Sequence, residues 1–327
     1  MSSPASPTIA LLGDVMLGRS VGEELAAQPE RGWSPELVEI ARSCDLVIAN
    51  LECCLSSRGR PTTLIPGKPF FFRGPPPMAA ALTALGENVA AGLANNHALD
   101  FGPEALLDTL QTARDAEIPI AGAGADRSRA RRGAAIPAAN LTVGLLALSD
   151  HPTEFAATPD RPGIAHADLR HAMPDWIADE MARLRASCDR VIAFPHWGPN
   201  MTREPAPWQR RRAAELQELG ADLVAGHSAH VFHGTEWTER GPLLYDLGEA
   251  LDDYAVDPEM RNDLGLLALW RPESEPQLEL VGLRLRFCHT ELARGTDADW
   301  IASRLDAACR ELGTSVERIE EQRYAVG

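Results

Sequence analysis

The sequence has very few residues of some reactive kinds, and each shortage excludes a class of chemistry. Lys68 is the only lysine in a chain of 327 residues, so Schiff-base chemistry, which needs a lysine amine, has almost no candidate. None of the six cysteines lies in a Cys-x-x-Cys pair, and Cys53 and Cys54 are adjacent. In a chain of this length we expect reduced thiols in a cytoplasm and no disulfide framework.

Long apolar runs are missing as well. The runs around residues 141–148 and 264–270 fall well short of the ~18 residues that a membrane-spanning helix needs. The N-terminal MSSPASPT has no basic region followed by an apolar one. We therefore expect no membrane segment, no signal peptide and a cytoplasmic location.

The charge balance of the chain is strongly acidic. Asp and Glu number 47 against 31 Lys and Arg, the formal net charge is −16, and 45% of the residues are hydrophobic. This composition is typical of a folded globular protein. Because an acidic chain repels phosphate backbones, we expect no nucleic-acid partner. No linker forces a division, so we predict a single domain over residues 1–327.

Short apolar runs alternate with amphipathic segments, which predicts an α/β fold. Several runs are apolar throughout, as expected of strands covered on both faces. The predicted strands are 9–12, 46–49, 89–93, 119–121, 141–148, 190–194, 223–225 and 243–245. The predicted helices are 35–43, 103–116, 174–187 and 206–219, and Ser34 is the predicted N-cap of the first.

The pattern changes after residue 262. Segments 264–270 and 277–286 are predicted strands, and the second alternates apolar and polar residues as a half-solvated antiparallel strand would. Two helices, 297–312 and 315–323, are predicted to close the chain. We expect this C-terminal part, 262–325, to pack on a motif core at 8–254.

Side chains that are able to bind metals gather just after the predicted strands. In open α/β sheets, ligand sites form beyond the carboxyl ends of the strands, so we expect these side chains to converge. In chain order they are Asp14 and Arg19, then Asn50 and Glu52, then Asn95, Asn96, His97 and Asp100, then His196, and finally His227, His230 and His233.

This mixture of nitrogen and oxygen donors suits Mn, Fe or Zn and is too rich in histidine for a pure Ca or Mg site. The donors are enough for one ion or for two ions that share Asp14 or Glu52. Two ions can clamp a phosphoryl group and lower the pKa of a bridging water. His97 is a candidate acid or electrostatic stabiliser, and Asp100 is a candidate to orient it.

Each cluster alone also has a structural interpretation. Asp14 would cap a helix, Asn50 and Glu52 would end a strand in a turn, and the histidine series would be a surface loop in which His233 is the weakest ligand candidate. Their shared position at strand ends favours function. Other templates are missing, since the chain has neither a GxSxG elbow nor a GxxxxGK[ST] loop.

A series of motifs resembles a known family. GDVMLGR, NLE, FFRGPP, LANNHALDFG, AGAG, PHWG, GHSAHVFHG and YDLGEALDD occur in the order seen in the CapA family of poly-gamma-glutamate capsule biosynthesis proteins, which is similar to the calcineurin-like metallophosphoesterases. The resemblance covers about residues 8–254. It implies a four-layer α/β/β/α sandwich of two mixed sheets, metallophosphoesterase-like, with a di-metal site along one edge.

The resemblance also implies roles for individual residues. The implied metal ligands are Asp14, Glu52, Asn96, His196, His227 and His230. Glu52 looks like a replacement for the bridging carboxylate, Met16 stands where the phosphoesterases have the histidine of Asp-x-His, and His97 matches the catalytic histidine. The last motif departs from the family's usual Tyr-Ser-Leu-Gly-Asn-Phe, and Ser228-Ala229 replaces the His-Pro of many relatives. The roles of Glu249 and His233 stay open.

Three hypotheses about function follow. The first is a metal-dependent hydrolase of a phosphate ester, in which a metal-bound hydroxide attacks, Arg19 and Arg73 hold the oxyanion, Asn50 also binds substrate, and His97 helps the leaving group. The second, from the resemblance alone, is an enzyme that forms or processes amide bonds of poly-gamma-glutamate or a peptide. The third is a non-catalytic, metal-stabilised binding module. We expect a small or peptide-like anionic substrate, selected by the loop 56–77.

Overall fold

Apolar runs that are buried along their whole length form the centre of the fold. In this computed structural model, which describes residues 7–275 and 277–327, Ile9–Val15 and Leu46–Leu51 are buried at every position. A strand covered on both faces has no polar side, so it is encoded as a continuous apolar run.

The bounds of the described elements are as follows. The strands are β1 (Ile9–Val15), β2 (Leu46–Leu51), β3 (Cys54–Leu55), β4 (Arg73–Gly74), β5 (Val89–Gly92), β6 (Ile120–Ala121), β7 (Ala123–Gly124), β8 (Ala134–Ala138), β9 (Leu141–Ser149), β10 (Gly163–Ile164), β11 (Arg190–His196), β12 (Leu223–Ala225), β13 (Thr235–Thr238), β14 (Gly241–Leu244), β15 (Glu249–Leu251), β16 (Leu264–Trp270), β17 (Leu278–Arg286), β18 (His289–Leu292), β19 (Val316–Glu320) and β20 (Arg323–Val326). The helices are α1 (Arg19–Glu24), α2 (Pro35–Arg42), α3 (Ala79–Thr83), α4 (Gly102–Asp115), α5 (Arg127–Arg131), α6 (Asp175–Ser187), α7 (Pro207–Glu218) and α8 (Thr296–Glu311). Among the described residues, no helix combines the length and the apolar character that crossing a membrane requires.

The strands pair into two large mixed sheets. The first has the order β19-β20-β17-β16-β1-β2-β5-β6, with β15 beside β1 and β18 beside β17. Neighbours from β1 to β6 in this order run parallel, and those from β19 to β1 run antiparallel. The second sheet has the order β13-β14-β12-β11-β9-β8, with parallel central pairs and antiparallel edge strands β8 and β13.

The two sheets pack face to face through small residues. Gly92 of β5 lies so close to β11 that a Cβ atom there would come 2.9 Å from the ring of Phe194. On the outer face of the second sheet, Met181 and Leu184 of α6 and Leu216 of α7 form a separate apolar cluster. The structure therefore has the predicted four-layer α/β/β/α arrangement of two mixed sheets.

Most predicted elements lie within a few residues of their observed positions. Ser34 precedes α2, and its Oγ accepts a hydrogen bond from the backbone N–H of Leu37 at 3.3 Å, as predicted for an N-cap. The observed β9 and β11 are longer than predicted and end at Ser149 and His196. The apolar runs locate the strands correctly, but a polar last residue hides where each strand ends.

The C-terminal end of the chain differs from the prediction. Segment 315–323, predicted as a helix, instead forms most of the hairpin of β19 and β20, in which β20 pairs with β17. Along β20, buried and partly exposed residues alternate, and the buried ones are Tyr324 and Val326. Pairing along the sheet edge thus outweighs the helix propensity of the Glu and Arg residues in this segment.

Strand β17 also differs from the prediction, because it is buried along most of its length. Helix α8 covers it closely: a Cβ atom at Gly282 would come 2.9 Å from Ile301. Glu279, the polar residue that suggested a solvated face, is 7% exposed and forms ion pairs with Arg271 and Arg323. Ion pairing allows a charged residue to occupy a buried position in this strand.

Candidate metal centre

Strands from both sheets deliver polar residues to one edge of the fold. In the first sheet, Asp14 of β1 is in register with Asn50 of β2 and with Glu249 of β15. In the second sheet, His196 ends β11 and forms a bridge with His227, which follows β12. Because parallel strands end at the same edge of a sheet, residues that are distant in sequence meet there.

Gly13 allows β15 to lie beside the end of β1. A Cβ atom at position 13 would come 1.9 Å from the carbonyl oxygen of Gly248, so any larger residue would push β15 away. Gly248 has a φ of 74°, which glycine adopts at little cost. These two glycines therefore place Glu249 next to Asp14.

Buried side chains at this edge form two groups of possible metal ligands that share Asp14. The first group is Asp14, His196 and His227, and the second is Asp14, Glu52, His230 and Glu249. Within each group, the ligand atoms lie within 4.8 Å of one another. The sequence predicted all of these residues as ligands except Glu249.

Asp14 faces the two groups with different oxygens. Its Oδ1 lies 3.3 Å from His227 Nδ1 and 3.7 Å from His196 Nδ1. Its Oδ2 lies 3.6 Å from His230 Nδ1, and His230 in turn contacts the carboxylate of Glu249. A carboxylate with this arrangement is suited to bridge two cations.

Several buried atoms in these groups that could ligate a metal have no hydrogen-bond partner among the described residues. They are both carboxylate oxygens of Glu52, Oε2 of Glu249 and Nε2 of His227. Leaving a charged group buried and unpaired costs on the order of several kcal/mol. A cation would satisfy these atoms, and Mn, Fe and Zn accept both imidazole and carboxylate ligands. The residues present therefore fit one or two divalent cations.

The charges of the carboxylates lead to the same conclusion. Burial opposes ionisation of Asp14, but the hydrogen bond to His227 and the nearby histidine charges outweigh it and hold the pKa of Asp14 below its usual range. Burial, and then the charge of Asp14, raise the pKa of Glu52 well above its usual range. Burial, and then the charge of Asp252, do the same to the pKa of Glu249. Adjacent buried carboxylates repel one another, and a bound cation removes that repulsion.

The loop of residues 227–230 is held in an unusual backbone conformation. Ser228 and His230 have φ values of 114° and 62°, and such values cost non-glycine residues roughly 1–3 kcal/mol each. The N–H of Ser228 donates to Asp14 Oδ2 at 3.1 Å, and the N–H of Ala229 donates to Asp246 Oδ2 at 2.7 Å. These hydrogen bonds hold the loop where His227 and His230 face the shared carboxylate.

The turn after β5 presents Asn96 and His97 to the same edge. Asn95 supports the turn, since its Nδ2 donates to the carbonyl of Leu51 at 2.8 Å and its Oδ1 accepts from the N–H of His97 at 3.1 Å. Asn96 Oδ1 lies 2.9 Å from His196 Nε2. The amide oxygen of Asn96 is thus adjacent to the first ligand group, and its role as a metal ligand stays a prediction.

His97 lies beside the second ligand group. Its Nδ1 is 2.5 Å from Asp100 Oδ2, its Nε2 is 4.0 Å from Glu52 Oε1, and its ring stacks on Phe72 with the centroids 3.7 Å apart. Burial, and then the charge of Lys68, lower the pKa of His97 well below its usual range. The imidazole is therefore neutral near pH 7.

Arg19 is the predicted anion-binding residue that lies at the mouth of the site. Its guanidinium is 3.2 Å from Asp253, and its side chain is 35% exposed. It also lies 5.6 Å from the ring centroids of Phe70 and Phe72 and 5.7 Å from that of Tyr254. The three rings and the carboxylate hold the cationic group in place while part of it faces solvent.

Arg73 and Asn50, the other two predicted substrate-binding residues, both make hydrogen bonds within the fold. Arg73 Nη1 donates to the carbonyls of Arg58 and Gly59, and the guanidinium lies 4.1 Å from the ring centroid of Phe101, so these contacts help to fix the loop. Asn50 is fully buried and donates to Asp14 Oδ1 at 2.7 Å. Arg73 thus supports the loop and Asn50 orients Asp14, and the roles of both residues in substrate binding stay predictions.

Sequence reasoning missed two acidic residues that follow β14. Glu249 belongs to the second ligand group, and Asp246 anchors the histidine loop; burial raises the pKa of Asp246 to about 8. Their position after an apolar strand was the available signal, since it matches that of the other clusters. His233, in contrast, lies outside both groups and donates from Nε2 to the carbonyl of Thr202 at 2.9 Å.

Comparisons with known proteins find relatives among bacterial capsule synthesis proteins. The family model described as bacterial capsule synthesis protein PGA_cap matches residues 8–254. A probable polyglutamine synthesis accessory protein of Mycobacterium tuberculosis is 31% identical over 361 aligned residues, which cover 96% of this chain and 94% of that protein. The PGA biosynthesis protein CapA of Bacillus subtilis is 30% identical over 162 residues, covering 49% of this chain and 41% of that protein.

Among solved structures, one from Staphylococcus aureus that is described as a 5′-nucleotidase is similar to this chain. It has 12% sequence identity and a TM-score of 0.48, and the match covers 93% of this chain and 58% of that one.

The family model spans most of the chain, and the mycobacterial relative matches nearly all of it. The chain therefore belongs to the PGA_cap family of bacterial capsule synthesis proteins, whose motifs it carries in order.

Proposed function

We propose that the chain is a metal-dependent hydrolase that acts on a phosphate ester. The observation that carries this proposal is the pair of buried ligand groups that share Asp14, with His97 beside them. Divalent cations bound there would supply Lewis acidity and lower the pKa of a water molecule. The chain's own residues would hold the cations, bind the substrate and move a proton.

His97 is the residue that we assign to proton transfer. In the substrate-free protein its Nδ1 contacts Asp100 Oδ2 and its Nε2 faces Glu52 of the second ligand group, and we assign to it the neutral Nδ1–H tautomer. A bound anionic substrate would favour protonation of the imidazole, because an opposite charge nearby raises the pKa of a histidine. Nε2–H would then donate its proton to the oxygen of the leaving group.

Arg19 is the residue that we assign to substrate binding. Asp253 and the surrounding rings hold its guanidinium at the mouth of the site. Guanidinium groups bind phosphate and carboxylate oxygens through paired N–H donors. We therefore propose a small or peptide-like anionic substrate whose charged group contacts Arg19, with the exposed ring of Phe70 against a neighbouring apolar part.

The test is a screen of phosphomonoesters and phosphodiesters with metal-free protein and with protein reloaded with Mn, Fe or Zn. We expect turnover only after reloading. Asp14→Asn should abolish it, and His97→Gln should lower kcat by about 10²–10⁴-fold. His171→Gln, at an exposed histidine outside the site, is the control and should retain full activity. Equal turnover by metal-free protein would contradict the mechanism.

A second candidate function is the formation or processing of amide bonds in a glutamyl polymer or peptide. It is favoured by the printed names of the relatives, which refer to PGA biosynthesis and polyglutamine synthesis. The same cations would polarise an amide carbonyl, and Arg19 would bind a side-chain carboxylate.

To separate the two candidates, metal-loaded protein is incubated with poly-gamma-glutamate and with oligoglutamyl peptides, and chain length is followed by mass spectrometry. Metal-dependent shortening of the polymer or peptides by hydrolysis of amide bonds, without hydrolysis of any phosphate ester, would favour the second candidate. If metal-loaded protein acts on neither class, the chain is a metal-stabilised binding module.

A further inference from the structure

The only lysine of the chain is buried beside the candidate catalytic histidine. Lys68 lies in the loop between β3 and β4, where its neighbours Leu64 and Phe70 are 45% and 57% exposed, but its own side chain is only 8% exposed. Lysine is almost never buried without a partner, since desolvating the ammonium is costly. Gly67 precedes it with a φ of 73°, a conformation that favours glycine and turns the chain inward.

The ammonium of Lys68 contacts the turn that carries His97. Its Nζ lies 3.2 Å from Asp100 Oδ1 and donates to the carbonyl oxygen of Asn96 at 2.9 Å. It also lies 5.9 Å from the ring centroid of Phe155. Lys68 therefore joins the long loop to both ends of the Asn96–Asp100 turn.

Asp100 connects Lys68 to His97. Its carboxylate is fully buried, and its Oδ2 accepts hydrogen bonds from the backbone N–H of Phe72 at 2.7 Å and from His97 Nδ1 at 2.5 Å. Its Oδ1 contacts Lys68. Burial raises the pKa of Asp100 to about 7 although the charge of Lys68 acts in the opposite direction, so the carboxylate is fully ionised only above that pH. Lys68 is thus the counter-ion of this carboxylate.

The ionisation state of Asp100 decides which nitrogen of His97 carries the proton. An ionised carboxylate can only accept, so it requires Nδ1–H and leaves Nε2 free. A protonated carboxyl group can donate to Nδ1, and the proton of a neutral imidazole would then lie on Nε2, which is 4.0 Å from Glu52 Oε1. With Nδ1–H directed to an ionised Asp100, the carboxylate stabilises the imidazolium that forms when Nε2 takes up a proton, and a protonated Asp100 cannot supply that stabilisation.

We propose that Lys68 is a positioning residue for His97: its ammonium keeps Asp100 ionised and so fixes the Nδ1–H tautomer with Nε2 free toward the ligand groups. The kinetic consequence of this proposal rests on the proposed function. The tautomer of His97 can be measured without any substrate, so the role of Lys68 and the proposed function can be refuted independently of each other.

The test is ¹⁵N NMR of the histidine side chains in the full-length, zinc-loaded protein, with His97 assigned from the His97→Gln spectrum. Lys68→Met and Lys68→Gln remove the charge, Lys68→Arg retains it, and Arg60→Met removes an exposed charge from the same loop. At a pH above the pKa of about 7 of Asp100, we expect the Nδ1–H tautomer of His97 in wild type, Lys68→Arg and Arg60→Met. In the two neutral variants we expect a shift toward Nε2–H.

An unchanged tautomer in a neutral variant with wild-type zinc content and circular dichroism would overturn the proposal. Failure of both neutral variants to fold would also overturn it, because the ammonium would then serve folding. If a phosphate ester is turned over, Lys68→Met should lower kcat about 10-fold or more with KM within about twofold. If no ester is turned over, the proposed function fails, and the tautomer shift still decides the role of Lys68.

Discussion

Asp14 is the residue on which both candidate ligand groups depend. Its two oxygens face different partners, and a backbone N–H, an amide and three histidines surround it. Glu249 supports only the second group. The structure thus assigns different consequences to the loss of each carboxylate.

We expect Glu249→Gln to lower the bound metal from about two ions per chain to about one, because a neutral amide is a much weaker ligand than a carboxylate. Asp14→Asn should remove both ions. Elemental analysis of the purified proteins measures this, with the exposed Glu204→Gln as the control. Full metal content in Asp14→Asn would show that Asp14 is not the shared ligand.

His233 gives a prediction about pH. Burial lowers the pKa of His233 to about 4, whereas an unfolded histidine has a pKa of about 6.5. As the pH falls, the unfolded chain therefore binds the proton before the folded protein does. The contribution of His233 to the free energy of unfolding is intact above pH ~6.5, and up to ~3 kcal/mol of it is lost as the pH falls toward ~4.

Urea unfolding at a series of pH values measures this contribution as the difference between wild type and His233→Gln. The free energy of unfolding of the variant should depend less on pH over this range. The exposed His171→Gln control should follow the wild type. Parallel curves for wild type and His233→Gln would refute the assignment.

At the scale of elements, the close approach of β1 and β15 assembles the second ligand group. Gly13→Ala would place a methyl group against the carbonyl of Gly248, so β15 must move. We expect destabilisation by about 1–3 kcal/mol or more together with loss of metal. Gly86→Ala is the matched control, since its new methyl group would meet no atom closer than 3.7 Å.

Thermal unfolding and elemental analysis of the two glycine variants give the result. Unchanged metal content in a folded Gly13→Ala protein would show that β15 does not need to lie close to β1. A large loss of stability in Gly86→Ala would show that the comparison does not isolate the contact.

The sequence was informative where an element is long and its pattern is simple. Apolar runs make up most of the buried strands β1, β2 and β11, so these strands could be located, and His196 and His227 could be placed at strand ends. Glu249 was missed because β15 has only three residues and no pattern of its own. The hairpin β19–β20 was mistaken for a helix because its pairing with β17 is not visible locally.

The contact between Lys68 and Asp100 was equally hidden from the sequence. The loop 56–77 has no hydrophobic period, so nothing in it indicates that one residue turns inward while its neighbours stay exposed. The contacts of Arg73 and Asn50 could not be predicted for a related reason: residue type and position do not show which hydrogen bonds a side chain makes within the fold.

At the scale of the whole molecule, metal binding should stabilise the fold. The three buried carboxylates Asp14, Glu52 and Glu249 are close enough to share a ligand group, and a cation that binds only the folded state raises its stability. One site at 100-fold excess over its Kd contributes about 2.7 kcal/mol, which should raise Tm by several degrees. A chelator should reverse the shift.

Differential scanning fluorimetry of metal-free and metal-loaded protein measures this stabilisation. Asp14→Asn is the control variant, and metal should not raise its Tm. An identical Tm for wild type with and without metal would mean that the buried acids do not form a cation site.

The claim that cations occupy the edge where the two sheets meet is tested most directly by anomalous diffraction from crystals loaded with zinc or manganese. We expect two anomalous peaks about 3.5–4 Å apart near the Asp14 carboxylate, with His196 and His227 at one peak and His230 and Glu249 at the other. Crystals that contain the metal but show no peak at Asp14 would contradict this claim.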